Sequence, residues 1–105
     1  MAVFAIYRYA VKPGRMADFM AKLGQANSPK FNSRVMPVSV RTLRNKVPGP
    51  ETGHLTLMIE YDDMAAYGLR MAYEHSNREW QKLFEPTPDS AETLLSVEIL
   101  EELLV

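Results

Sequence analysis

The stretch Leu55-Thr56-Leu57-Met58-Ile59-Glu60-Tyr61-Asp62-Asp63-Met64-Ala65-Ala66-Tyr67 decides the fold, because the period of its apolar residues changes midway. Leu55, Leu57, Ile59 and Tyr61 alternate with Thr56, Met58 and Glu60, the two-residue repeat of a half-buried strand. Beyond the aspartates, Met64, Tyr67, Gly68, Met71, Ala72 and His75 recur at about 100° per residue, the repeat of a helix with one inward stripe. Asp62 or Asp63 is placed to cap that helix.

After His75 the apolar side jumps. Ser76-Asn77-Arg78-Glu79 has the S-x-x-E form of a capping box, which predicts a break near Ser76. A short second helix then carries Trp80, Leu83 and Phe84, and Pro86 and Pro88 end it. A last strand is expected from about Glu92 to Leu103. Leu95, Val97 and Ile99 are assigned to one face and Leu94, Ser96, Glu98 and Leu100 to the other.

Toward the N-terminus, Pro48-Gly49-Pro50-Glu51-Thr52-Gly53 reads as a loop. A strand from about Met36 to Val47 precedes it, with Val38, Val40 and Thr42 on one face. Pro37, Arg41, Arg44 and Lys46 mark this as an edge strand, since proline and charge both discourage sheet extension. Met16, Phe19, Met20 and Leu23 give an amphipathic helix that opens after Pro13-Gly14 and ends between Gly24 and Asn27. Val3 to Val11 is the first strand. Val3, Ala5, Tyr7, Tyr9 and Val11 share one face and Phe4, Ile6 and Arg8 the other.

Strand, helix, strand, strand, helix, strand is the ferredoxin-like βαββαβ order: an α+β domain with a four-stranded antiparallel sheet and helices on one face. Its 105 residues suit one domain. The chain has no cysteine, which excludes disulfides, thiolate metal sites and cysteine nucleophiles. The start lacks the form of a signal peptide and no apolar run approaches membrane-spanning length, so a soluble, cytoplasmic protein without a membrane partner is expected.

The uncovered sheet face carries Phe4, Ile6 and Met58, too apolar for water, and pairing with an identical copy is the simplest remedy. Charge divides along the chain. Residues 1–50 hold nine basic residues and one acid; residues 51–105 hold three basic residues and twelve acids. One reading is a nucleic-acid surface on the basic half. The preferred one sets Arg41, Arg44 and Lys46 of the second strand against Glu98, Glu101 and Glu102 of the last strand across a homodimer. The net charge of −1 and the lack of interleaved aromatics favour this over nucleic acid.

The Val11-Lys12-Pro13-Gly14 turn followed by Phe19 resembles the first crossover of the dimeric α/β-barrel superfamily. So do Glu60-Tyr61-Asp62 before an Ala/Tyr-rich helix and Glu79-Trp80-Gln81 near its end. The likeness is greatest to NIPSNAP-like and antibiotic-biosynthesis-monooxygenase-like domains and spans nearly the whole chain. It implies two sheets closed back to back into a barrel, with the final strand reaching the partner. Cofactor-independent and haem-degrading members of the superfamily use an Asn, a Trp and a His around a sheet–helix pocket. His75 stands where such a histidine would be expected. Tyr7 and Tyr9 occupy the first strand in place of Asn, and Trp80 lies late in a helix, so that mechanism is not carried over.

His75 is the candidate catalytic base, expected to project inward beside the small Gly68 and Ala72. Tyr7, Tyr9, Tyr67, Met71 and Trp80 are candidate ligand contacts around it. The plainer readings are a histidine that ends a helix, and a tryptophan packed as core with Leu83 and Phe84. Arg8, Glu60 and Glu98 form either a functional polar cluster or satisfied charges at an interface. No metal is expected, since the predicted break separates His75 from Glu79, and no cofactor. The functional expectation is a cofactor-independent monooxygenase or isomerase acting on a small aromatic or polyketide-like molecule. The alternative is a domain that binds a small apolar ligand without turnover, or serves only structure or interaction.

Overall fold

The computed structural model describes residues 1–46 and 53–105. Strand β1 (Val3–Val11) leads into helix α1 (Met16–Ala26), and a short 3-10 turn at Pro29–Phe31 precedes β2 (Ser39–Arg44). Strand β3 (His54–Tyr61), helices α2 (Met64–Ser76) and α3 (Arg78–Leu83), and strand β4 (Glu92–Glu101) complete the chain. This is the expected βαββαβ order with the second helix broken in two. The four strands form one antiparallel sheet in the order β2-β3-β1-β4, so β2 is an edge strand as expected, and β4 is the other.

The register fixes what each face carries. On the open face the rows across the sheet are Ser39–Glu60–Phe4–Leu100, Arg41–Met58–Ile6–Glu98 and Leu43–Thr56–Arg8–Ser96. On the helix side they are Val40–Ile59–Ala5–Ile99, Thr42–Leu57–Tyr7–Val97 and Arg44–Leu55–Tyr9–Leu94. Tyr9, Val11, Leu55 and Leu57 enclose Phe19 of α1 in one core cluster, while Val3, Ala5 and Tyr61 form a second one under α2. Both edge strands stay partly uncovered even on the helix side, with Val38, Val40, Val97 and Ile99 exposed.

Two boundaries, one register and one cap differ from the sequence reading. Strand β2 begins at Ser39 rather than Met36, because Pro37 has no N–H to give the ladder. Its expected end at Val47, and the loop that follows as far as Thr52, lie outside the described residues. Strand β4 stops at Glu101 rather than Leu103. Its register shifts between Arg8 and Tyr9, so Ser96 pairs with Arg8 and Leu94 with Tyr9, leaving Leu95 unpaired as a bulge. Alternation through that point had put Leu94 on the open face; the bulge turns it to the helix side. Finally, the break in the second helix is capped by Asn77, whose Oδ1 accepts from Trp80 N at 3.0 Å, and not by Ser76, whose hydroxyl donates to the Tyr73 carbonyl. Asp63 caps α2, accepting from Ala66 N at 2.8 Å.

At Gly53 the fold requires a glycine for both its backbone angle and its close packing. Its φ is +96°, and a Cβ there would stand 2.6 Å from the Val11 carbonyl oxygen. Val11 N donates to the Gly53 carbonyl at 2.5 Å, which ties the start of β3 to the end of β1.

Candidate functional site

Between the helices and the sheet lies an open cleft of about 1430 Å³. Its floor is Tyr7 and Tyr9 of β1 with Leu57, Ile59 and Tyr61 of β3. Met20 and Leu23 of α1 form one wall, Met71 and Glu74 of α2 another, and Trp80 lies along α3. The Tyr7 hydroxyl reaches the Met71 sulfur at 3.9 Å, and the Tyr9 ring packs tilted on Phe19 at 4.8 Å.

The inward face of α2 is not the stripe read from the sequence. Arg70 is 2% exposed, and Tyr67, Met71 and Glu74 share its side of the helix, whereas Met64, Gly68, Ala72 and His75 are exposed. Gly68 has open space where a side chain would project, so no room against the sheet is made by it. The correction amounts to a rotation of about one residue, or 100°. Tyr67 and Met71 belong to both stripes. Gly68 and Ala72 counted as apolar in the pattern, yet they have too little surface to drive burial, while the aliphatic stems of Arg70 and Glu74 have more. An i, i+4 Arg–Glu pair spaced in register with Tyr67 and Met71 was the available signal.

Arg70 ties this region together. Its Nε donates to Glu74 Oε2 at 2.8 Å, and its Nη1 donates to the Phe31 carbonyl at 2.8 Å, Ser33 Oγ at 2.9 Å and the Met36 sulfur at 3.3 Å. The guanidinium carbon lies 4.6 Å from the Tyr73 ring centre and 5.2 Å from that of Trp80. Trp80 also meets Phe31 edge-on at 5.2 Å and Phe84 at 5.1 Å, so one arginine joins α2, α3 and the segment leading to β2.

Glu74 faces the cleft with one carboxylate oxygen held by Arg70. Burial pushes its pKa above the usual glutamate value, and the Arg70 hydrogen bond and charge oppose that rise without cancelling it. The floor tyrosines are shifted in the same sense. Burial pushes the Tyr9 hydroxyl up to about 12, with Glu92 and then Glu74 adding to it. Burial likewise raises Tyr7 and Tyr61, and Glu74 contributes to both. The result is a basic carboxylate beside phenols that stay protonated.

Of the other expected site residues, His75 lines the cleft from its rim but is exposed, and its carbonyl accepts from Gln81 Nε2. Trp80, Met71, Tyr7 and Tyr9 line the cleft. Tyr67 does not; it packs edge-on against Tyr61 at 5.5 Å and beside the second core cluster. Arg41 and Glu98 lie in one row of the open face, whereas Arg44 and Glu101 lie on the helix side at the two edges, so the four do not share a surface. Glu98 pairs with Arg8 at 3.3 Å, and Glu60 accepts from Ser39 Oγ at 3.3 Å. Among the described residues no group of three potential ligands could hold a metal ion, and no helix is long and apolar enough to cross a membrane.

No protein-family profile and no curated protein matches the chain. Solved structures do. An uncharacterized NIPSNAP-like domain protein from Burkholderia xenovorans superposes with a TM-score of 0.72 at 13% identity, covering 97% of this chain and 85% of the other. A Bordetella bronchiseptica protein provisionally named an antibiotic biosynthesis monooxygenase gives 0.66 at 24% identity, over 98% of each chain. SnoaB, a cofactor-independent oxygenase from Streptomyces nogalater, gives 0.68 at 13% identity, over 99% of this chain and 95% of its own. The chain shares their ferredoxin-like fold. At these identities the likeness is one of architecture, and it bears out the resemblance read from the sequence at that level.

Proposed function

We propose that the protein transfers a proton to or from a small aromatic or polyketide-like molecule held in the sheet–helix cleft, as a cofactor-independent monooxygenase or isomerase would. The observation that carries this reading is Glu74: a carboxylate made more basic by burial, opening onto a largely apolar cleft with phenolic donors on its floor. A base of raised pKa is better matched to a weakly acidic C–H or phenol than an ordinary carboxylate. Tyr7 and Tyr9, held protonated, donate hydrogen bonds to the oxygen on which negative charge develops. The enolate or phenolate so formed either takes the proton back at another carbon, which is isomerisation, or is electron-rich enough to reduce dioxygen. Two of the structures of like fold are named for oxygenase chemistry, which supports this reading by analogy.

His75, exposed at the rim, is replaced by Glu74 as the proposed base. Solvent-deuterium exchange into a panel of tricyclic phenolic ketones, followed by NMR, tests the assignment directly. Glu74→Gln is expected to lower the exchange rate by about 100-fold or more, and His75→Ala to leave it within a few-fold. The reverse pattern would return the role to His75. The Arg70 guanidinium on Glu74 favours one second reading, a structural carboxylate in a cleft that holds its ligand unchanged. Ligand bound with no exchange would identify it.

The proposal includes a homodimer and a cytoplasmic site of action, without a nucleic-acid or membrane partner. Ile6 is 3% exposed, yet its row ends in Arg41 and Glu98, and Leu43 and Leu100 on the same face are exposed. Two such sheets stacked about a two-fold axis along the strands put β2 of one over β4 of the other. Arg41 then faces Glu98 of the partner, and Met58 faces Ile6. Arg41→Glu is expected to weaken the dimer in native mass spectrometry, and Arg44→Glu, on the other side of the sheet, to leave it intact. A monomeric parent protein or an unchanged Arg41→Glu dimer would remove this arrangement.

A further inference from the structure

We infer that the ligand of the cleft carries an anionic group, and that Arg78 and Lys82 receive it at the cleft wall formed by α3; the inference rests on the reading of the cleft as a binding site. Most cations of this chain outside β2 are answered from within it: Arg8 by Glu98, Arg15 by Asp18, Lys22 by Glu92, Lys30 by Glu79 and Arg70 by Glu74. Lys12 donates to the Pro88 carbonyl at 2.8 Å. Arg78 and Lys82 also line the cleft and have no such partner among the described residues. The placement of Arg78 opposes local preference, whereas Lys82, in the last turn of α3, suits the helix dipole. Arg78 is the first residue of α3, where the unsatisfied N–H groups favour an acid, and Lys82 follows at i+4, where like charges repel. Glu85, one turn further on, also lines the cleft and adds a negative charge close in sequence to Lys82, so Arg78 is the cation expected to dominate anion binding.

The interior excludes a second charge. Glu74 is already there, and its partner Arg70 is spent on four acceptors. An aromatic body can rest on the Tyr7, Tyr9 and Leu57 floor only if its charged end stays at the wall, within reach of α3. Trp80, between Arg78 and Lys82 in sequence and itself lining the cleft, reports on that position. The ligand class is therefore an aromatic or polycyclic carboxylate or sulfonate, not a neutral hydrocarbon-like molecule.

Two dyes with the same aromatic body supply the test: 1-anilinonaphthalene-8-sulfonate, an anion, and N-phenyl-1-naphthylamine, its neutral counterpart. Binding is read from the single indole N–H resonance of Trp80, so occupancy of the exposed β4 surface does not register. Arg78→Gln with Lys82→Gln is expected to weaken the sulfonate about tenfold, a loss that added salt reproduces in the parent protein, and to change the neutral dye by less than about twofold. An unchanged sulfonate affinity overturns the inference, as does equal weakening of both dyes. If neither dye moves the Trp80 resonance of the parent protein, the cleft reading falls with it. Binding of the neutral dye alone would leave the cleft standing and remove only the anion site.

Discussion

Arg70 and Glu74 on the helix side, and Arg8 and Glu98 on the open face, are the same two residue types in opposite surroundings. The first pair meets at 2.8 Å with side chains 3% and 14% exposed; the second meets at 3.3 Å with side chains 49% and 48% exposed. A buried pair contributes little net stability over an apolar replacement, but it fixes geometry, because each charge left alone would be costly. An exposed pair is worth about 0–1 kcal/mol and fixes little. The helix side is therefore already organised within one chain, with Glu74 held at one oxygen and turned to the cleft. The open face carries Arg41 and Glu98 at the ends of one row with Met58 and Ile6 between them, and Arg8 and Glu60 on its two central strands.

The largest effect is expected on the organised side. Arg70→Ala leaves Glu74 without its cation and the Phe31 carbonyl and Ser33 hydroxyl without their donor. A loss of about 3–5 kcal/mol in denaturant unfolding is expected. Arg70→Met with Glu74→Leu should recover much of it, since the cost lies in the orphaned charge and not in the lost attraction. A loss below about 1 kcal/mol for Arg70→Ala would put the two pairs in the same class and dissolve the contrast.

Alkali should find the same side next. An unfolded tyrosine ionises near its ordinary value of 10, while Tyr9 in the fold is pushed up to about 12. Its folded pKa is the higher one, so the associated stability is full below pH 10 and is lost as pH rises toward 12. Two pKa steps correspond to about 2–3 kcal/mol from this residue, and Tyr7 and Tyr61, raised in the same direction, add to the loss. Tyrosinate absorbance should therefore rise together with loss of helical circular dichroism, and Tyr9→Phe should blunt the coupling. Ionisation of the floor tyrosines in a still-folded protein would mean that the cleft is wetter than its burial implies.

The α3 junction separates what the sequence carries from what it does not. The jump of the apolar side after His75 located the break, because periodicity reports elements well. Which oxygen caps it depended on backbone direction: Asn77 is the capping residue, and Ser76 turns back into α2. The strands were legible for the same reason as the break, being alternations over six to ten residues. The bulge at Leu95 was not, since inserting one residue leaves composition unchanged while reversing a face. Among the cleft-lining residues, Trp80 stood off the stripe read for α2, whereas Tyr7, Tyr9 and Met71 followed from face assignments. Arg70 and Glu74 did not, because hydropathy scores a charged group by its tip while the fold buries its stem and pairs its end. Asn77→Ala is expected to cost about 1 kcal/mol and Ser76→Ala a few tenths. Equal costs would return the cap to the S-x-x-E reading.

A small effect in a single chain is also expected from Arg8→Ala, and its dependence on protein concentration makes it the sharpest comparison of the two faces. In an isolated sheet the change removes an exposed ion pair, and unfolding of a dilute sample should shift by no more than about 1 kcal/mol. If the open face is covered by a second copy, the same pair is desolvated at high concentration, and its loss adds to the dissociation free energy instead of the folding free energy. The melting temperatures of the parent and of Arg8→Ala should then diverge as concentration rises. Arg70→Ala should fall below the parent by the same margin at every concentration, because its partners all lie within one chain. Parallel curves for Arg8→Ala would mean that Glu98 meets only water beyond Arg8 and that no second copy covers this pair.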